Sequence, residues 1–152
     1  MKLFLEWGPK VPLKHVSLPG LIYTLDESKL PEAPGVYVFG RVQRTGEFEA
    51  LYVGMANDIR GRVTGHQNNL RLMGHIEAAK KGEKVVRAGV FKPKRGQRKR
   101  TCLPIIERAL IRYFLSEGHN LANLRGARLG RHEVTSDGKH PNQFIPRMML
   151  VS

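Results

Sequence analysis

Glu107 is the residue whose position is hardest to explain by packing alone. If residues 103–117 form a helix, a broad apolar face is made by Leu103, Ile106, Ala109, Leu110, Ile111, Tyr113 and Phe114. Glu107 lies inside that face, four residues after Leu103 and four before Ile111. A carboxylate that faces a core is costly unless it is paired, protonated or bound to a metal. Two interpretations stay open, an ion pair with an arginine or a ligand of a divalent cation such as Mg²⁺.

Arg62 and His66 are four residues apart, so their side chains share one face of a predicted helix. Such an arginine can hold a phosphate through two hydrogen bonds and stabilise charge that develops on it. A histidine beside it can bind phosphate or move a proton near neutral pH. A solvated basic helix face would show the same pair, so the pair alone does not indicate a function.

Two tyrosines lie near glycines in predicted neighbouring strands, as Gly35-Val36-Tyr37 and Tyr52-Val53-Gly54. Tyrosines in strands usually serve packing, with the hydroxyl at a polar boundary. A glycine at the end of a strand also lets backbone or substrate approach closely. Packing and a role at a binding site are both open at this point.

In this order and spacing, the residues resemble the GIY-YIG nuclease family, which includes homing endonucleases, some restriction enzymes and a domain of an excision-repair nuclease. Arg62 follows Tyr52 by ten positions, as the family's arginine follows its second tyrosine. Glu107 and Asn123 match later positions of the family pattern. The resemblance covers about residues 34–124, with valine in place of isoleucine in both triplets.

The resemblance implies a role for each matched residue. Tyr37 would activate the attacking water, as a general base or as a phenolate if neighbouring cations lower its pKa. Tyr52 would orient the water or the phosphate, and Arg62 would stabilise charge on the phosphorus. Glu107 would bind a single Mg²⁺ or Mn²⁺. Roles are also implied for two further residues: His66 would assist Tyr37 or bind phosphate, and Asn123 would close the site, with Asn120 near enough to compete for that place.

The elements that must position these residues are those of a small α+β domain. A hairpin of strands 36–42 and 48–54, with a turn at Thr45-Gly46-Glu47, is followed by a third strand at 85–91. The expected core is a small antiparallel sheet of about three strands flanked by helices. Residues 1–30 are predicted to be an irregular N-terminal extension with one short strand at 21–25, residues 31–125 the nuclease-like domain, and residues 126–152 a C-terminal extension packed on it.

Helix signals lie on either side of the third strand. Asn57-Asp58 offers a start for a helix that ends near Met73-Gly74, and a short helix is expected at 76–81. Pro104 is well placed at the start of the helix that carries Glu107. The segment before it is predicted to be a loop rich in basic residues: Lys92, Lys94, Arg95, Arg98, Lys99 and Arg100. A mobile solvated loop and an arm that contacts phosphates are both open interpretations.

The charge of the chain favours a polyanionic partner. Lys and Arg number 26 against 13 Asp and Glu, a formal net charge of +13. Nucleic acid is the commonest partner of such a surface.

No apolar run reaches the length of a membrane span, and the single cysteine, Cys102, predicts a reducing cytoplasm. A homodimer or a protein partner stays possible, and no small-molecule cofactor is expected.

These observations predict a metal-dependent endonuclease that hydrolyses DNA phosphodiester bonds. The main alternative is a non-catalytic, basic nucleic-acid-binding module on the same fold. A third interpretation is a ribosomal or structural RNA-binding protein, which would show no dependence on metal. The joint presence of Tyr37, Arg62 and Glu107 favours the enzyme, because a binding module has no need of a carboxylate on an apolar face.

Overall fold

A computed structural model of the chain describes residues 1–123, 132–138 and 144–151. Within these residues, eight strands form one mixed sheet: β1 (Lys2–Trp7), β2 (Val11–Leu18), β3 (Leu21–Leu25), β4 (Gly35–Val42), β5 (Phe48–Ala56), β6 (Glu83–Phe91), β7 (His132–Gly138) and β8 (Met148–Val151). The same described residues contain three α-helices beside the sheet: α1 (Ile59–His66), α2 (Leu70–Ala78) and α3 (Lys99–Ser116). No helix of the described residues has the length and apolar character needed to cross a membrane.

The prediction of an antiparallel sheet of about three strands is wrong. Its three strands exist as β4, β5 and β6 and pair antiparallel, but five further strands extend the sheet. The predicted irregular segment 1–30 contains β1 and β2 as well as the expected strand at 21–25, and β7 runs parallel to β1. The six residues of β1 alternate buried and more exposed side chains, which is a strand signal too short to separate from a loop in the sequence.

Strand β6 lies at the centre of this sheet. Along one edge it pairs with β4 over its whole length. Along the other edge it pairs with β1 and then with β2, in the registers Leu5↔Phe91 and Val11↔Val86. A hydrogen bond from the Gly8 N–H to the Ala88 carbonyl bridges the gap between them. Residues 2–18 therefore act as one long strand with a short interruption, and the N-terminal strands belong to the same sheet as the predicted hairpin.

Strand β4 is buried on both faces because helices cover both sides of the sheet. Successive side chains of a strand point to opposite faces. Val36 and Val38 accordingly join the core under α3, whereas Tyr37 and Phe39 join the core under α1 and α2. Tyr52 lies opposite Phe39 in the pairing of β4 with β5, so Tyr52 shares the face of Tyr37. The hairpin prediction is confirmed, and its register brings both tyrosines to one side.

Two helix predictions need correction. The single helix expected up to Met73-Gly74 is two helices, since the Asn69 side chain accepts a hydrogen bond from Leu72 N–H and starts α2 anew. Helix α3 starts at Lys99 and not at Pro104, which lies inside it. The predicted stop at Gly118 is confirmed. Its φ of 83° lies in the left-handed region, which ends the helix and which glycine adopts more easily than other residues.

Candidate active site

The phenol of Tyr37 lies directly across the backbone of Gly54 on the neighbouring strand. A side-chain carbon added to Gly54 would stand only 2.3 Å from the Tyr37 hydroxyl oxygen. A glycine is therefore required in the second triplet. The close approach expected there is made by the protein's own tyrosine, which becomes fixed and is only 1% exposed.

The Tyr37 hydroxyl forms a hydrogen bond of 2.7 Å with Nε2 of His66, at the C-terminal end of α1. Burial raises the pKa of Tyr37, and Tyr52 adds to the rise. Burial also lowers the pKa of His66 to about 4, with the charge of Arg62 acting in the same direction. Both groups are consequently neutral at pH 7. A preformed Tyr37 phenolate, one of the two possibilities from the sequence, is disfavoured, because desolvation outweighs the cationic neighbour.

Arg62 lies one turn before His66 and is exposed to solvent. Its contact with the phenol hydroxyl and its charge oppose the rise in the pKa of Tyr37 that burial causes. The guanidinium thus stands beside the Tyr37 oxygen with donors left for another acceptor. Both Arg62 and His66 therefore reach the Tyr37 hydroxyl from the same side of α1.

Tyr52 completes an aromatic cluster with the same pair. Its ring centroid lies 6.3 Å from that of Tyr37 and 5.5 Å from that of His66. Burial raises the pKa of Tyr52, the charge of Glu107 adds to the rise, and Arg62 opposes it. Tyr52 therefore stands between the Tyr37–His66 pair and the carboxylate on α3.

Glu107 is half-buried on α3, with its carboxylate near the Met55 backbone N–H on β5. Burial raises the pKa of its carboxyl, opposed by the charge of Arg108, the Met55 N–H and the charge of Arg62. The structure shows no ion pair of Glu107 among the residues it describes, so the simple arginine pairing is not seen there. Because the carboxylate is desolvated and has no paired cation, binding of a cation would stabilise its charged form.

A divalent cation fits this donor set only with help from outside the protein. No cluster of three or more His, Cys, Asp or Glu side chains suited to a metal occurs within the described segments. Mg²⁺ commonly takes one or two carboxylates and completes its octahedron with water and substrate phosphate. Glu107 could supply the single protein ligand of such a site, as the resemblance implies.

Asn123 holds the edge of β5 through both ends of its amide. Its oxygen accepts from Val53 N–H at 2.8 Å, and its nitrogen donates to the Val53 carbonyl at 2.7 Å. Asn120 contributes its backbone carbonyl, which accepts a hydrogen bond from His75. Of the two asparagines left open by the sequence, Asn123 therefore contacts the site strand next to Tyr52. Both ends of its amide bond to the Val53 backbone, and Asn123 also lines the first cleft described below.

Glu107 lines one of two neighbouring clefts and touches a residue of the other. The first cleft, of about 790 Å³, is lined by Tyr52, Asn69, Arg71, Leu72, His75, Glu107, Ile111, Leu121, Ala122 and Asn123. The second, of about 490 Å³, is lined by Met55, Ala56, Asn57, Lys99, Arg100, Leu103 and Pro104. Met55, which lines the second cleft, lies close to the Glu107 carboxylate.

All six basic residues of the segment 92–100 are exposed, but the segment differs from the predicted loop. Lys99 and Arg100 belong to the first turn of α3. The remainder is a turn closed by Gln97, whose backbone N–H donates to the Lys94 carbonyl and whose side chain donates to the Lys2 carbonyl. The first turn of α3 holds no acidic residue, and cations there oppose the helix dipole, an arrangement that an anion would relieve.

Sequence reasoning missed the polar residues of the first cleft, Arg71 and His75. They repeat in α2 the four-residue spacing of Arg62 and His66 in α1, nine positions further on. That repetition was available in the sequence. Only the structure shows that these α2 residues line the same cleft as Tyr52 and Glu107.

Models of protein families, curated proteins and solved structures give no match to this chain. The resemblance to the GIY-YIG family thus rests on the residues quoted above. It stays a prediction.

Proposed function

We propose that this chain is a divalent-metal-dependent endonuclease that hydrolyses DNA phosphodiester bonds. The observation that carries the proposal is the convergence of a hydrogen-bonded Tyr37–His66 pair with Arg62, Tyr52 and the half-buried Glu107. These side chains come from β4, β5, α1 and α3, so no single element accounts for their meeting by packing alone.

The neutral Tyr37–His66 pair suggests how water is activated. As the water oxygen bonds to phosphorus, its proton passes to the Tyr37 oxygen while the Tyr37 proton passes to Nε2 of His66. The bond from phosphorus to the leaving oxygen breaks, and that oxygen takes a proton from solvent. His66, whose pKa of about 4 favours the neutral ring, then returns its proton to solvent. The tyrosine never has to exist as a free phenolate, which its raised pKa disfavours.

Two positive groups would stabilise the charge that builds up during this displacement. Arg62 stands beside the Tyr37 hydroxyl and can donate to the phosphoryl oxygens of a phosphate attacked there. Glu107 would hold one Mg²⁺ or Mn²⁺, which supplies charge stabilisation at the leaving oxygen. Tyr52, between them, would orient the phosphate through its hydroxyl.

DNA as the substrate is supported by charge and not by a base-reading element. The net charge of +13 and the exposed cations of residues 92–100 favour a phosphate backbone. A non-catalytic binding module would use the same cations, but it would not explain why a desolvated carboxylate without an ion-pair partner stands at Glu107. A cytoplasmic location, and a homodimer or protein partner, stay predictions.

Nicking of supercoiled plasmid tests the enzyme directly. Wild-type protein should nick with Mg²⁺ or Mn²⁺ and not with EDTA, and Glu107→Gln and Tyr37→Phe should each slow nicking by about 100-fold or more. Both variants should keep DNA affinity within about threefold, because the exposed cations are unchanged. Lys14→Gln, which removes an exposed charge on β2, is the matched control and should nick normally. Nicking that both site variants retain, or that EDTA does not stop, would refute the assignment.

A further inference from the structure

We propose that the first cleft is a subsite for one unpaired nucleotide adjacent to the phosphate that is cut. The inference rests on the proposed function, since it deepens the choice of substrate at the same site. Its evidence is separate, because it concerns the walls of the cleft beyond Tyr52 and Glu107.

The inner wall of the cleft is apolar and fixed. Leu72, Ile111 and Leu121 are 5%, 3% and 8% exposed, so each already belongs to the core and presents only an edge to the cleft. The volume of about 790 Å³ lies in the range of roughly 300–1,000 Å³ typical of sites for small ligands. An apolar wall of this kind suits the face of a nucleobase, and it offers little to a phosphate.

The rim of the cleft carries groups that match the rest of a nucleotide. Arg71 is exposed and forms no ion pair with any carboxylate in the described part of the chain. Asn69 uses its side-chain oxygen to accept from Leu72 N–H, which leaves its amide N–H groups as donors. His75 donates through Nε2 to the Asn120 carbonyl, which leaves Nδ1 outside that bond. A cation and polar groups thus surround an apolar floor.

The position of the cleft explains why the nucleotide should be unpaired. Tyr52 and Glu107 form one side of it, so a nucleotide inside would carry its own phosphate to the proposed site. A base that is paired and stacked in a duplex cannot turn its face to Leu72 and Ile111. A base already free of its partner enters without the cost of unpairing and unstacking.

Three DNA duplexes of one sequence test this subsite: fully paired, with one unpaired adenine, and with one unpaired abasic residue at the same place. Affinity is measured by fluorescence anisotropy in EDTA, so that binding is separated from cutting. The duplex with the unpaired adenine should bind about tenfold more tightly than the abasic one, because only the adenine can bury a base face against the apolar wall of the cleft. The abasic duplex bends in the same way and controls for shape.

Two variants locate the effect. Arg71→Ala should weaken binding of the unpaired adenine about tenfold, through loss of one charge-assisted hydrogen bond, and weaken the paired duplex less than about twofold. Ala122→Phe should fill the cleft and abolish the preference for the base, with circular dichroism to confirm folding. Arg44→Ala, an exposed arginine in the β4–β5 turn, is the matched control and should lower all three affinities equally.

The outcomes separate this subsite from the nuclease itself. Equal affinities for the adenine and abasic duplexes, or equal losses on all three DNAs with Arg71→Ala, would overturn the subsite even if plasmid nicking succeeds. A clear preference for the unpaired base that Ala122→Phe removes would support the subsite even if no nicking is seen. In that case the enzyme assignment fails alone.

Discussion

At the scale of single residues, the chemistry of the site follows from desolvation. The same burial that raises the pKa of Tyr37 lowers that of His66, so two groups that ionise in opposite directions are both held neutral. A neutral pair joined by a bond of 2.7 Å can pass a proton without either member carrying a charge beforehand. This favours a shared role for the two residues over a tyrosine that acts alone.

The depressed pKa of His66 predicts a specific dependence of stability on pH. The imidazole has a pKa near 6.5 in the unfolded chain and about 4 when folded, so the unfolded chain binds the proton more readily between these values. The stability gained from the neutral imidazole is complete above pH about 6.5 and is lost as the pH falls towards about 4, on the order of 3 kcal/mol in all. Urea unfolding of wild type and His66→Gln at pH 7 and pH 4 measures it.

In that experiment the glutamine can still bond to the Tyr37 hydroxyl but cannot titrate. Carboxylates that protonate in the same range affect both proteins equally, so the difference between them isolates the imidazole. The same fall in unfolding free energy in both proteins would show that His66 is not the group responsible.

At the scale of elements, the outer edge of β5 is closed by α3 and the segment after it. Ala50 N–H donates to the His119 ring, and the Leu51 carbonyl accepts from Ala122 N–H. Asn123 bonds both backbone groups of Val53, and the Glu107 carboxylate lies near Met55 N–H. An open edge strand would invite pairing with another chain. Here the closing groups also set the distance from α3 to Tyr52, so protection of the edge and assembly of the site are one arrangement.

Loss of the Asn123 amide should therefore damage both stability and site. Asn123→Ala leaves the Val53 N–H and carbonyl without partners at a half-buried edge and should reduce the free energy of unfolding by about 2–4 kcal/mol. Asn120→Ala is the matched control and should change it by less than about 0.5 kcal/mol, because that site uses only backbone. Urea titration of both variants decides the matter, and a larger loss from Asn120→Ala would contradict the role given to Asn123.

At the scale of the whole molecule, the net positive charge should attract DNA, and the resulting affinity should depend on the salt concentration. Lys99 and Arg100 lie in the first turn of α3, the helix that carries Glu107, and the other basic residues of segment 92–100 precede it in the chain. Counterions released by each phosphate contact steepen the dependence of affinity on salt concentration. If this segment meets the phosphate backbone, its cations contribute to that slope more than cations elsewhere.

Changing Lys94, Arg95, Lys99 and Arg100 to glutamine should reduce the slope of log affinity against log salt by about 0.9 for each lost contact, up to about 3–4 in total. The control with the same loss of charge changes Lys14, Lys29, Lys80 and Lys81, which are all exposed on other elements. Anisotropy titrations over a range of NaCl concentrations measure both slopes. Equal slopes for the two variants would mean that segment 92–100 makes no particular contact.

The sequence by itself determined the parts of this protein whose signals are local. The β4–β5 hairpin, strand β6, the end of α3 and the apolar face around Glu107 follow from periodicity and turn residues, and the structure confirms them. Within the C-terminal extension predicted at 126–152, the described residues include β8 and the buried Phe144 and Ile145. The spacing of the tyrosines, Arg62 and His66 likewise needed no fold to be seen.

Only the tertiary structure decided what joins residues far apart in the chain. The parallel pairing of β1 with β7 links residues 2–7 to residues 132–138, and Asn123 reaches back 70 positions to Val53. Local periodicity predicts neither contact, because a hydrogen bond between residues so far apart in sequence depends on how the whole intervening chain folds. The first cleft arises in the same way, since α2, α3 and β5 enclose Arg71 and His75 only after each has packed on the sheet.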